Sequence, residues 1–179
     1  MIPSDVIRFW FEEIDPKRWW EPDAALDALI RERFEETHRA AGRGELYGWR
    51  NTAEGRLAEV LVLDQFSRNM YRGTPAAFAA DPVALMLAQE AIARGADREL
   101  APSRRAFLYM PFMHSESRLI HEQAVKLFNQ PGLEKGLEYE LKHRHVIERF
   151  GRYPHRNRVL GRPSTPAEEE FLKEPDSSF

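Results

Sequence analysis

Between His143 and Arg162 the chain reads HRHVIERFGRYPHRNRVLGR, which crowds six arginines, three histidines and one glutamate into a protein whose net charge is -3. Guanidinium groups take carboxylate or phosphate oxygens two at a time. Arg152, His155, Arg156, Asn157 and Arg158 can therefore either tie a turn-rich segment to the protein's own carboxylates or receive an anion from outside. Two carboxylates are candidates to answer them, because each falls on an apolar stripe. At about 100° per residue, Leu57, Val60, Leu61, Asp64 and Arg68 share one side of a helix. Val62, Leu63, Phe66 and Met70 cover its other faces, so this helix is expected to be central. An unpaired ion there would cost several kcal/mol. Asp64 is thus either bridged to Arg68 or to the C-terminal arginines, or it belongs to a site. A second helix repeats the pattern, with Glu116, Leu119, Ile120, Gln123 and Leu127 on one side.

The histidines do not read as a metal centre. His114 and His121 are seven residues apart, about 10 Å of helix rise, too far for one zinc ion with bonds near 2 Å. His143 and His145 point about 200° away from each other on a helix. His143 falls inward with Tyr139, Ile147 and Phe150, and His145 outward with Lys142 and Arg149. Glu140, Arg144 and Glu148, four residues apart, read as a surface charge ladder without chemistry. No nucleotide-binding glycine loop, GxSxG elbow, HExxH pair or EF-hand is present, and no cofactor or metal is expected. For acid-base work the candidates are Glu116, His114, Asp64 and His155, whose burial can move their pKa values toward neutrality.

The elements that must hold these groups are helices. Start and stop signals recur throughout, and strand-like alternation is almost absent. Ser4 can cap a first helix carrying Val6, Phe9 and Trp10, and Pro16 and Pro22 bracket a turn with Trp19 and Trp20. A second helix is expected over Ala24 to Ala41 with Leu26, Leu29, Ile30 and Phe34 inward, ended by Gly42 and Gly44. Thr52 can cap a third to about Phe66, followed by a loop from Ser67 to Ala80. Asp81 and Pro82 make a cap and first turn for a fourth. Pro102 can open a fifth that Pro111 should break or kink. A sixth is expected from about Ser115 to Phe128, and a seventh after the NQPG turn through Phe150, stopped by Gly151. Thr165, Pro166 and Glu168 form a capping box for a short last helix through Leu172. Residues 1–174 are expected as one all-α domain of seven to eight helices, with 175–179 a frayed tail. A chain of 179 residues buries roughly 70% of its unfolded surface, so it needs no staple.

The absence of cysteine fits a reducing compartment, and the cytoplasm is expected. Asp5, Arg8, Glu12 and Glu13 interrupt any signal-like core, and the apolar run Ala106 to Met113 is too short to cross a bilayer, so no membrane partner is expected. With a pI near 6.1 and no lysine block, the composition argues against nucleic acid. The aromatic N-terminal helix either fills the bundle or seals a symmetric pair, so a monomer or a homodimer is expected.

The blocks LDQFSRNMYRGTPAAFAAD (Leu63 to Asp81), FLYMPFMHSES (Phe107 to Ser117) and HRHVIERFGRYPHRNRVLGRPSTPAEEEFL (His143 to Leu172) resemble a bacterial family, domain of unknown function 924. The resemblance implies an all-helical, tetratricopeptide-like stack of antiparallel hairpins and supplies no activity. Its motif positions fall on Asp64, Gln65, Arg68, Asn69, Arg72, His114, Ser115, Glu116, Arg149, Phe150, Pro154, His155, Arg156 and Asn157. Ser67 stands where the family pattern leads one to expect proline. Together with Gln123 and Arg152, the polar members of this set other than Ser115 are the expected ligand-binding residues. Three functions follow. The first is a module binding a carboxylate or phosphate on a small molecule or peptide. The second is an enzyme acting on an anionic small molecule, with Glu116 or His114 as acid or base and an Arg/His clamp. The third is an internal ion-pair network that fastens the last loop to the bundle. A closed pocket joining Glu116, Asp64 and the arginines favours chemistry, and an open groove lined by Trp10, Trp19 or Tyr71 favours a protein partner.

Overall fold

The computed structural model describes residues 1–175 and Ser177, and the expected fraying of the last residues lies partly outside them. The helices are α1 (Pro3–Arg8), α2 (Ala24–Gly42), α3 (Ala53–Leu61), α4 (Ser67–Met70), α5 (Asp81–Ala93), α6 (Pro102–Met113), α7 (Arg118–Phe128), α8 (Glu134–Phe150) and α9 (Pro166–Phe171). No strand occurs among the described residues. A π turn over Val62–Phe66 joins α3 to α4, so the two form one rod and the described residues fold into eight rods. The loop expected from Ser67 therefore begins later. The π turn lets the helix continue through Ser67–Met70 before a 3₁₀ turn at Pro75–Ala77.

This rod is the hub. Leu57, Ala58, Val60, Leu61, Val62, Leu63 and Phe66 have no exposed surface, because α1, α2, α5 and α6 pack round it. The N-terminal aromatics fill the bundle. Phe9 meets Phe34 at 4.8 Å and Phe66 at 6.0 Å between ring centres, and Trp10 is completely buried. Gly55 permits the entry of α3, since a Cβ there would stand 1.9 Å from the Trp49 carbonyl oxygen. Thr52 caps the helix through the Gly55 N–H.

Several expectations shift by a residue or a face. Pro111 neither ends nor interrupts α6, which runs on to Met113. The one backbone bond it forfeits is offset by the burial of Phe107, Leu108, Tyr109, Phe112 and Met113. Leu29 is exposed although Leu26, Ile30 and Phe34 are buried. Asp81 occupies the first turn of α5 without capping it. The capping box of α9 forms as read, with the Glu168 N–H on Thr165 Oγ1 and the Thr165 N–H on Glu168 Oε2. Residues 75–93 are apolar enough to cross a membrane by length and composition. The segment is broken before Asp81, however, and the 13 residues of α5 reach only about 20 Å.

The α6–α7 and α7–α8 connections are short, so these helices pack as antiparallel neighbours. This arrangement brings the end of α6, the linker 114–117 and the segment after α8 to the π-turn end of the central rod. Around that segment a second, smaller apolar cluster forms from Val146, Ile147, Tyr153 and Phe171.

Candidate functional site

Asp64 lies inside the π turn, buried, and His114 is the residue on which α6 ends. Their side chains meet with His114 Nδ1 2.7 Å from Asp64 Oδ1. Gln65 donates to Asp64 Oδ2 at 2.6 Å, and Arg68 Nη1 stands 3.1 Å from Asp64 Oδ1. Arg68 also grips Asp81 with both terminal nitrogens, at 2.8 and 3.0 Å. From the C-terminal segment, Arg156 donates to the His114 carbonyl at 3.0 Å and to Asp81 at 3.4 Å. Its guanidinium carbon lies 4.6 Å from the ring centre of Phe78 and 4.5 Å from that of Tyr153. Two distant carboxylates, a histidine and the basic segment thus form one corner.

The neighbouring carboxylate, Glu116, belongs to the linker and not to a helix. Arg162 binds both of its oxygens at 2.6 and 2.9 Å, and the Tyr153 N–H donates to it at 2.8 Å. Asn157 accepts from Arg162 at 3.0 Å and donates to Ser164. Glu116 is thereby fully engaged. Burial alone would raise its pKa, but the bonds from Arg162 and Tyr153 hold it below the usual carboxylate range.

Burial likewise pushes the Asp64 carboxyl up, and the charges of Arg68 and His114 with the bonds from His114 and Gln65 reverse the sign, keeping it ionised. His114 moves down, first because it is buried and then because Arg68 is close, against the opposing pull of Asp64. A neutral imidazole facing a carboxylate must present Nδ1–H to it. Nε2 then carries the lone pair, and no hydrogen bond engages it among the described residues. This is the tautomer and orientation of a general base. Burial also lowers His143 to about 3, and burial with the Arg156 charge lowers His155 to about 4. The rings of both stack edgewise or tilted on Tyr153.

Other expected site residues lie elsewhere. Asn69 and Arg72 both bond Asp27 of α2 on another face. Arg149 covers Phe150 and Phe171 and approaches Glu174 at 3.9 Å. Arg152 holds Glu168 at 2.6 and 2.7 Å and the Pro163 carbonyl at 2.9 Å. Gln123 is exposed, because the buried side of α7 is His121, Ala124 and Phe128 instead of the stripe read from Glu116. Trp10 is completely buried, with Trp19 stacked on it at 5.8 Å, so it lines no open surface. Among the described residues no cluster of three His, Asp or Glu side chains could hold a metal ion.

Asp81, Phe78, Tyr153 and Arg162 complete the corner and were not singled out from sequence. Asp81 had a simpler assignment as a cap, and Arg162 was counted only as part of the basic tract. Glu140 is a correction: far from being part of a surface ladder, it is buried against His121 at 2.7 Å. The spacing of Gly136, Glu140, His143 and Ile147, a helix-face repeat, was the signal for it.

A family model described as "Bacterial protein of unknown function (DUF924)" matches residues 6–176. A solved structure of a protein of unknown function from Agrobacterium tumefaciens is 43% identical, covers 96% of each chain and superposes with a TM-score of 0.90. No curated protein matches.

Proposed function

Since the chain belongs to the bacterial family of unknown function DUF924, whose name assigns no chemistry, we propose from geometry that the corner around His114 takes up a small anion-bearing molecule and that the Asp64–His114 pair acts on it as a general base. One observation carries this reading. An unpartnered donor and an unpartnered acceptor sit on two residues that are bonded to each other. Arg156 is buried and fixed between two rings, yet its Nε–H has no acceptor among the described residues. His114 Nε2 has no donor among the described residues, while its other nitrogen is anchored on Asp64.

An oxyanion beside Arg156 would fill the vacant donor position, and the long 3.4 Å contact to Asp81 is the weakest bond in its way. Arg68 and Arg156 balance Asp64 and Asp81, so the corner is neutral before a ligand arrives. A modest affinity for a small carboxylate or phosphate follows, instead of the broad attraction of a basic patch. The π turn at Asp64 is consistent with the assignment, because such turns are frequent at functional positions. Arg162 with Glu116, and Arg152 with Glu168, take the fastening role: they hold the segment 151–164 in place. The succession of α5 to α8 as packed neighbours supports the tetratricopeptide-like assignment as part of the same reading. The cysteine-free composition fits a reducing compartment, and the cytoplasm is where this activity is proposed to occur.

The test is a thermal-shift series with phosphate, acetate and nucleoside monophosphates on wild type, Arg156→Lys and His114→Gln. At least one anion should raise the wild-type midpoint by a few degrees and fail to raise that of Arg156→Lys, which keeps charge but loses Nε–H and the planar fork. His114→Gln should keep most of the protection and be inert toward the ligand so identified. If no anion protects the wild type, or Arg156→Lys is protected equally, the reading is wrong.

A further inference from the structure

The linker that carries His114 is held from its other side by a second histidine–carboxylate pair. His121 of α7 and Glu140 of α8 are both fully buried. His121 Nδ1 is 2.7 Å from Glu140 Oε1, and Nε2 is 2.8 Å from the Ser115 carbonyl oxygen. The Tyr153 hydroxyl, 3.2 Å from the same Nε2, already gives its proton to the Met113 carbonyl at 2.6 Å. Nε2 therefore faces oxygens that can only accept, and must carry a proton. A second proton must lie between Nδ1 and Oε1, or two lone pairs would oppose each other at 2.7 Å. A neutral imidazole brings one proton. The pair therefore holds two, as imidazolium with carboxylate or as imidazole with carboxylic acid, and is neutral in either form. Burial without compensating charge opposes a net charge there, and burial is also what pushes the Glu140 carboxyl above its usual range, against the opposing bond from His121.

The consequence reaches the corner through four consecutive residues. Met113 is held through its carbonyl by Tyr153, His114 through its carbonyl by Arg156, Ser115 through its carbonyl by His121, and Glu116 through its carboxylate by Arg162. Only the Ser115 tie is made by an imidazole, whose other nitrogen shares a proton with a carboxylate. We propose that His121–Glu140 is a proton-dependent latch on residues 113–116: with two protons it fixes Ser115 and the set of His114, and with one it releases either Ser115 or Glu140 and weakens anion uptake at the corner. The coupling to anion uptake rests on the proposed function of the corner, and the latch itself does not.

The charged and titratable groups nearest the pair are Arg144 and His143 from α8 and Tyr153 from the C-terminal segment, and behind these stand His114, Glu116, His155 and Arg156. The neighbouring histidines, Tyr153 and Glu116 keep their state between pH 6 and 10, whereas burial and the charge of Arg68 lower Arg156. His143 and His155 stay neutral, with pKa values near 3 and 4, and His114 is also lowered. Burial raises the Tyr153 hydroxyl, and Glu116 is held ionised. A pH response of the linker in that window that disappears in Glu140→Gln therefore reports the pair.

Glu140→Gln separates the outcomes. The glutamine amide can donate permanently to Nδ1, which leaves Nε2–H on Ser115 at every pH. The first measurement is the imidazole 15N spectrum of the ligand-free protein together with the Glu140 carboxyl 13C shift, so that protons on both partners are counted, with the His121 signals assigned by their change in Glu140→Gln. The second is NMR titration with sulfate and acetate, both ionised from pH 6 to 10, with Arg156→Lys as background. In the wild type the pair should hold two protons at pH 6 and lose one on raising the pH, and anion affinity should fall about tenfold across the same step. In Glu140→Gln the affinity should change less than about twofold. A single proton on the wild-type pair at pH 6 overturns the latch, whatever the anions do. The same pH profile in wild type and Glu140→Gln overturns the coupling. Two protons on the pair with no anion bound at any pH overturn the anion reading of the corner and the coupling with it, and leave the latch standing.

Discussion

Asp64 has no access to water, and His114, Gln65 and Arg68 aim donors at it. A carboxylate so placed is tolerable only because each of its bonds is made. Removing it leaves Arg68 with Asp81 as its one carboxylate partner, strands the Gln65 amide and unties the histidine that ends α6. Asp64→Ala is therefore expected to cost about 3–5 kcal/mol in urea denaturation. Arg72 makes an equally well-formed pair with Asp27 but is 44% exposed. Water competes for both partners there, so Arg72→Ala is expected to cost no more than about 1 kcal/mol. Equal losses in the two variants would show that depth does not rank these ion pairs. The same contrast explains what spacing could reveal. Asp64 and Arg68 stood out because they interrupt an apolar stripe, whereas Arg72 is one of many surface arginines and only coordinates exclude it from the corner. Glu140 escaped notice for the opposite reason: its charged neighbours at i+4 and i+8 gave it a plausible solvent role, and its real partner is nineteen residues earlier in the chain.

At the scale of elements, helix existence and most ends were readable because Thr52, Thr165 and Gly151 act locally. Helix phase was less so. The stripe through Glu116 assumed that α7 begins at Ser115, but the helix begins at Arg118, so Glu116 was never on its wheel. Leu119 and Gln123 face out, and a polar residue, His121, faces in because Glu140 meets it there. Apolar patterning assigns such a residue to the surface. The π turns at Phe9–Glu13 and Val62–Phe66 left no composition signal either, since adding one residue to a turn requires no special side chain. Close approach of elements does leave a signal in glycine. Gly55→Ala would drive its Cβ into the Trp49 carbonyl, an atom of backbone that cannot rotate aside. It is expected to cost about 1–3 kcal/mol. Gly42→Ala, at the end of α2 with nothing within 4 Å, should be neutral or slightly stabilising. Thermal melts of the two variants decide this, and a Gly55→Ala midpoint equal to wild type would mean that the entry of α3 is not close-packed.

For the molecule as a whole, the cost of building a polar corner inside a helical bundle should appear in its acid stability. His114, His143 and His155 are all lowered chiefly by burial, the latter two to about 3 and about 4. In the unfolded chain each titrates near 6.5. As pH falls below that value, the unfolded state takes up protons that the folded state refuses, so stability present at pH 7 is lost with acid. Each group that withholds a proton contributes about 1.4 kcal/mol per pH unit while its folded form stays neutral. Asp64 and Glu116 are also lowered, and their contribution is lost only at more acid pH, below the ordinary carboxylate range. Glu140 has the reverse sign: its raised pKa favours the protein below the unfolded value and withdraws that support as pH rises. The urea midpoint should therefore already decline between pH 7 and 5, before carboxylates protonate, and fall more steeply below about 4. His143→Gln can keep a donor for the Tyr139 carbonyl while removing the imidazole, and should flatten the pH 7 to 5 slope by about 1 kcal/mol per unit. A wild-type midpoint constant over that interval would mean that the corner admits protons freely, and that His114 is not held neutral as a base must be.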